Sequence, residues 1–215
     1  MRRTLMTALT AMATASTAAL GQEQSNMQRP TNFRIRYDRA NAVDSLFYFV
    51  TMRPGWHVTS GRAAAVLWNP ETAGRGNYRV ESLIHVFPLA GGHAEGFGLV
   101  LGGRELDGAN QDYLYFLIRK DGQFLIKHRA GAATHDVVAW TANPAIVPQP
   151  AEDTTAQSVR NTLAVEVGAR DVEFFVNGQR VHTMPRAAAN FDGIVGLRVN
   201  HGVNLHVQSL TVTQR

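Results

Sequence analysis

Three stretches of the chain carry residues able to do chemistry. In NYRVESLIHVF, Arg79, Glu81 and His85 share one side of an extended chain, because successive side chains alternate between faces. Carboxylates and imidazoles are the commonest proton-transfer groups, which makes Glu81 and His85 the candidate acid/base pair. Four residues of strand separate them by about 13 Å, too far to pair directly. Each would have to act with a residue of a neighbouring strand. Glycoside hydrolysis needs two carboxyl groups roughly 5–10 Å apart, and Glu95 or Asp112 are the partners that adjacent segments offer Glu81. The plainer alternative is that Glu81 pairs with a nearby arginine.

The second stretch, DYLYFLIRKDGQFLIKHR (112–129), holds Tyr113, Tyr115, Arg119 and His128, and the third, GIVGLRVNHG, holds Arg198 and Asn200. Aromatic planes accept the C–H faces of a sugar ring, while arginine, asparagine and carboxylate groups at the rim meet its hydroxyls. Arg79, Tyr113, Tyr115, Arg119, His128, Arg198 and Asn200 are therefore the candidate ligand-binding set. Trp56 and Trp140 either join such a surface or fill corners of the core.

Other chemistries find little in the sequence. There is no cysteine and no G-x-S-x-G, so thiol sites and the usual serine elbow are missing. Gly102-Gly103-Arg104 opens no helical segment that would cradle a phosphate. His93, His201 and His206 lack the tight local spacing of zinc sites, and no acidic loop asks for calcium. No cofactor and no locally spaced metal site are expected; a metal, structural calcium included, would have to be assembled from distant strands.

These residues have to be positioned by strands. Alternating apolar and polar residues recur near 32–38, 45–52, 63–68, 77–87, 96–103, 112–120, 123–129, 135–140, 161–168, 171–177, 179–184, 193–200 and 203–213, with turn residues between them. Short strands punctuated every 8–12 residues predict an all-β sandwich or barrel. Asp121-Gly122 predicts a two-residue type I′ turn, pairing Lys120 with Gln123 and Tyr115 with His128. That register puts Leu114, Phe116, Ile118 and Leu125 in the core, and Tyr113, Tyr115, Leu117, Arg119, Phe124, Ile126 and His128 on the other face. Val195, Leu197 and Val199 face in, as do Leu163, Val165, Val167, Val172, Phe174 and Val176. The proline-rich segment 141–160 either borders a site or simply connects.

The first 21 residues run from two arginines through small and apolar residues to Ala19-Leu20-Gly21, the order of a secretory signal peptide. Residues 22–31 form a polar leader, and 32–215 a single domain. Export to the periplasm or beyond is expected, with no membrane insertion after cleavage. Without Arg2 and Arg3 the balance is 19 basic residues against 17 acidic, interspersed rather than clustered. That is not the basic footprint of a nucleic-acid-binding surface.

YLYFLIRKDGQFLIKHR, the tryptophan-ended strand VVAW, NTLAVEVGARDVEFFVNGQRV and FDGIVGLRVNHGVNLHVQSLTV together resemble the concanavalin A-like lectin/glucanase superfamily. They are similar in particular to laminin-G-like and 3-keto-disaccharide-hydrolase-like jelly-roll domains of exported bacterial proteins. The resemblance covers roughly 77–213 and implies a jelly-roll β-sandwich. The E-x-D-x-E triplet of the glucanase branch is missing, and GFGLVLGGREL stands loosely where the hydrolase-like branch has N-S-G-x-x-x-R. The fold hosts lectins, glycosidases, lyases and adhesive modules alike. Three expectations follow: a carbohydrate or glycoconjugate partner held on a concave face, a glycoside-active enzyme using Glu81 and His85, or an adhesive protein-binding module.

Overall fold

A computed structural model describes residues 28–39, 47–89, 94–149 and 157–215. The expected signal peptide, most of the leader and His93 lie outside the described residues. Strands are numbered along the chain. The first sheet runs in the order β1 (Arg34–Tyr37), β4 (Ala65–Gly74), β13 (Gly193–Val199), β6 (Gly96–Arg104), β7 (Asp112–Arg119), β8 (Gln123–Ala130) and β9 (Ala133–Ala142). The second runs β12 (Gln179–Pro185), β11 (Asp171–Val176), β10 (Val159–Val167), β5 (Tyr78–Val86), β14 (Val203–Gln214), β3 (Trp56–Ser60) and β2 (Phe47–Thr51). Neighbouring strands in both sheets pair antiparallel.

Period-two alternation explains the two layers. Tyr78, Val80, Ile84 and Val86 of β5 point inward with Leu163, Val165, Phe174 and Val176. They meet Phe97, Leu99, Leu101, Leu114, Phe116, Leu197 and Val199 of the first sheet. One contiguous core results, and its burial drives the fold. Tyr78 is fully buried, and its hydroxyl donates to the Phe191 carbonyl at 2.7 Å. Its ring lies against Gly74, where a β-carbon would come within 2.3 Å of the ring. Trp56 packs on this core beside Phe33, with ring centroids 4.9 Å apart. Its strand β3 is the one the alternation reading missed, because WHVTS is short and follows Arg53-Pro54-Gly55.

One hairpin departs from the expected register. Arg119 rather than Lys120 faces Gln123, and Leu114 rather than Tyr115 faces His128. Only Gly122 has positive φ at this turn, and its N–H donates to the Arg119 carbonyl. A three-residue loop ending in a left-handed glycine replaces the I′ turn. The Asp121 carboxylate stabilises it by accepting from Arg119 Nε at 2.8 Å and Gln123 Nε2 at 3.0 Å. A one-residue slip exchanges the faces of a strand. Phe124 and Ile126 therefore enter the core, and Leu125 moves to the outer face. At Asn177-Gly178, by contrast, both residues have positive φ and Val176 faces Gln179, as a two-residue I′ turn requires.

Candidate functional site

The outer face of the first sheet is apolar at its centre. Val66, Trp68, Val100, Tyr113, Tyr115, Leu117 and Leu125 form a second buried cluster there, with Leu106 of the β6–β7 connection packed in and Trp140 and Ile194 at its margin. Gly96 makes room for Trp140: a β-carbon there would come within 2.9 Å of the indole. Arg119 lies over that indole at 4.5 Å, a cation–π contact.

Charge stands beside this cluster. Arg198 of β13 is only 8% exposed and donates through both terminal nitrogens to the two oxygens of Asp38. The guanidinium lies 6.0 Å from the Tyr115 ring centre, and its Nε donates to Asn200 Oδ1 at 3.2 Å. Asn200 Nδ2 in turn donates to Glu95 at 3.3 Å. Burial alone would raise the Asp38 pKa, but the Arg198 hydrogen bonds and the charges of Arg198, Arg129 and Arg36 outweigh it and hold the carboxyl below its ordinary range. Burial raises both Tyr113 and Tyr115, keeping their phenols neutral.

Four of the expected ligand-binding residues thus come together here: Tyr113, Tyr115, Arg198 and Asn200. Arg119 lies farther along the same face. Tyr113 is 1% exposed, so it supports the floor and offers no plane to a ligand. Tyr115 and Trp140 are the rings nearer the surface.

The remaining candidates lie elsewhere. Arg79, Glu81 and His85 point outward from β5, on the far side of the sandwich, because the inward positions of that strand are taken by Tyr78, Val80, Ile84 and Val86. The expectation of one shared face is corrected accordingly: the two outer surfaces are separated by both sheets and the core. Arg79 is ion-paired with Glu166 and, at 2.6 Å, with Glu81. Neither Glu95 nor Asp112 faces Glu81, since both belong to the first sheet's side. His128 is turned away from the tyrosine face by the register slip. It sits beside Asp112 at 3.2 Å, and Arg104 holds the same carboxylate at 3.0 Å.

Arg79 and Glu81 border a shallow depression of about 540 Å³, together with Arg160, Thr162, Asn177 and the 144–147 segment. Asn177 anchors that segment, donating to the Ala145 carbonyl and to Asn161 Oδ1, both at 2.8 Å. Segment 143–149 therefore closes an edge of the sandwich and buries Ala145 and Ile146. No aromatic side chain lines this depression.

Asp38 was not among the sequence candidates. Its signal was available: in FRIRYD, Arg34, Arg36 and Asp38 alternate with Phe33, Ile35 and Tyr37. Its partner stands 160 residues away, so no local pattern could announce the pair.

No family profile and no curated protein matches the chain. Solved structures do. A carbohydrate-binding module, CBM66 of Bacillus subtilis, superposes with a TM-score of 0.59 at 13% identity, over 86% of this chain and 96% of that one. A Bacillus subtilis protein of unknown function with a galectin-like fold gives 0.56 at 15% identity, over 88% and 94%. The exoplasmic/lumenal domain of VIP36, in a form bound to Ca2+ and Man3GlcNAc, gives 0.56 at 9% identity, over 88% and 87%. The fold is that of the concanavalin A-like and galectin-like jelly rolls.

Proposed function

We propose that the chain is a lectin-like glycan-binding protein that receives a saccharide on the outer face of the first sheet. The observation that carries this reading is the set of Asp38, Arg198 and Asn200 standing over Tyr115 on one face, with Trp140 farther along it. An ionised carboxylate accepts from two sugar hydroxyls, an asparagine amide both donates and accepts, and the aromatic planes take the C–H face. Arg198 is too enclosed to be the main contact. It holds Asp38 charged and aimed. The depression on the opposite sheet lacks an aromatic plane, which favours the first face. The names of two of the matched structures, a carbohydrate-binding module and a domain bound to Man3GlcNAc, support the same class of ligand. The export signal read in residues 1–21 would bring the domain to extracytoplasmic glycans, and N-terminal sequencing of the mature protein tests that part.

A glycan array followed by calorimetry on the hits tests the binding itself. Asn200→Ala removes a rim contact without opening the core and should weaken a hit about tenfold, the loss of roughly one hydrogen bond to a charged or polar partner. Trp140→Ala should weaken it similarly. An array without a hit, or a hit indifferent to both substitutions, would sink the proposal.

A further inference from the structure

Three histidines stand abreast on the outer face of the second sheet. His206 of β14 is directly opposite His57 of β3 and His85 of β5. All three point away from the core, since Val58, Ile84, Val86, Leu205 and Val207 occupy the inward positions. The ring centroids are 6.4 Å apart for His57 and His206, and 6.1 Å for His85 and His206. The glycan reading uses none of them.

The hydrogen bond of His57 selects one tautomer. The Thr59 hydroxyl donates to Asn204 Oδ1, so its 3.2 Å contact with His57 Nε2 has the ring as donor. His206 Nδ1 is buried without a partner. His57 Nδ1 is likewise buried without a partner. His57 therefore holds its ε N–H against oxygen, and the δ nitrogens of both rings stand without a partner. An imidazole whose N–H is held by an oxygen acceptor while its other nitrogen is free is arranged as a metal-ligating histidine is.

We propose that His57 and His206 form a cross-strand chelate for a divalent first-row metal of the copper, nickel or zinc type. Imidazole suits these ions. Metal–nitrogen bonds of about 2.0–2.1 Å at a tetrahedral angle place two imidazole centres about 5 Å apart. Directly opposed residues on adjacent strands start with β-carbons about 4.5–5.5 Å apart. The ring centres stand 6.4 Å apart, so chelation asks them to approach by about 1.4 Å. Among the described residues no three potential ligands already converge on one point, so the site is a two-imidazole chelate completed by water. His85 flanks it, its Nε2 engaged by Gln208 at 3.1 Å.

The test is calorimetric titration of the folded chain with Cu2+ in the presence of glycine as a weak competitor, with electron paramagnetic resonance of the one-to-one complex. One equivalent should bind, and the spectrum should carry two coordinated nitrogens. His57→Gln and His206→Gln should each weaken binding at least tenfold. Asn204→Ala, which removes the oxygen at the end of the His57 chain, should weaken it about tenfold. His135→Gln and His182→Gln should leave it unchanged. The substituted rings lie outside the core, so metal-free unfolding midpoints should stay close to the parent's. Absence of binding, or binding retained by the His57→Gln/His206→Gln double variant, would overturn the site. Loss in His85→Gln with no loss in His57→Gln would overturn the assignment of His57.

Discussion

The two outer faces of this sandwich handle charge in opposite ways. On the first, Arg198 is almost sealed between strands and pairs in bidentate fashion with Asp38 above a floor of tyrosine and aliphatic residues. On the second, Arg79 bridges Glu81 and Glu166, with side chains that retain 27–43% of their exposure. Water screens the second network and is largely excluded from one partner of the first. Similar ion pairs therefore differ in consequence: the enclosed one is costly to break, and the wetted one contributes little.

Asp38→Ala is the sharpest way to break that comparison. It leaves Arg198 buried without its counter-charge, and should cost about 3 kcal/mol in urea unfolding, the low end for breaking a buried pair because Asp38 itself stays 32% exposed. A cost under about 1 kcal/mol would put both faces in the same class.

Acid should find the same residue. The folded protein favours the ionised Asp38, so the unfolded chain takes up its proton first. The stability this supplies is complete above the ordinary carboxylate range and is lost as pH falls through the lowered folded value. Unfolding followed downward from pH 5 should be less steep in Asp38→Asn than in the parent. Identical slopes would remove Asp38 from the account.

On the second face the larger effect belongs to a neutral residue. Asn177 sits at φ +50°, holds the 144–147 segment by donating to the Ala145 carbonyl, and bonds β10 by donating to Asn161 Oδ1 and accepting from the Thr162 N–H. Asn177→Ala should cost about 2 kcal/mol, from a left-handed alanine and the loss of three side-chain bonds. Asn177→Gly keeps the turn and isolates the hydrogen bonds. The smallest effect is expected at Arg79. A double-mutant cycle with Glu166 should return a coupling of about 0–1 kcal/mol, and a larger value would mean that the second face is drier than its exposure implies.

The alternation of NYRVESLIHVF was enough to assign every side chain of β5 to its face, because strand period is a local property. It could not tell which sheet that face belonged to. Arg79 and Arg198 look alike in sequence, each standing between two apolar residues (Tyr78 and Val80, Leu197 and Val199), yet they end on opposite surfaces. The β7–β8 hairpin makes a finer point. Asp-Gly is compatible with either a two- or a three-residue loop, and the side chains of Arg119 and Gln123, both bonded to Asp121, accompany the longer one.

Local pattern by itself determined that the chain is all-β, where most of its strands lie and which residues alternate inward, since these follow from side chains projecting to opposite sides of an extended backbone. Tertiary structure alone decided what those faces became. Strands far apart in sequence are neighbours in the sheets, so Asp38 meets Arg198 across 160 positions, and His57, His85 and His206 align from three separate segments. Such meetings depend on strand order and register, which arise from burying the whole core at once rather than from any single stretch of residues.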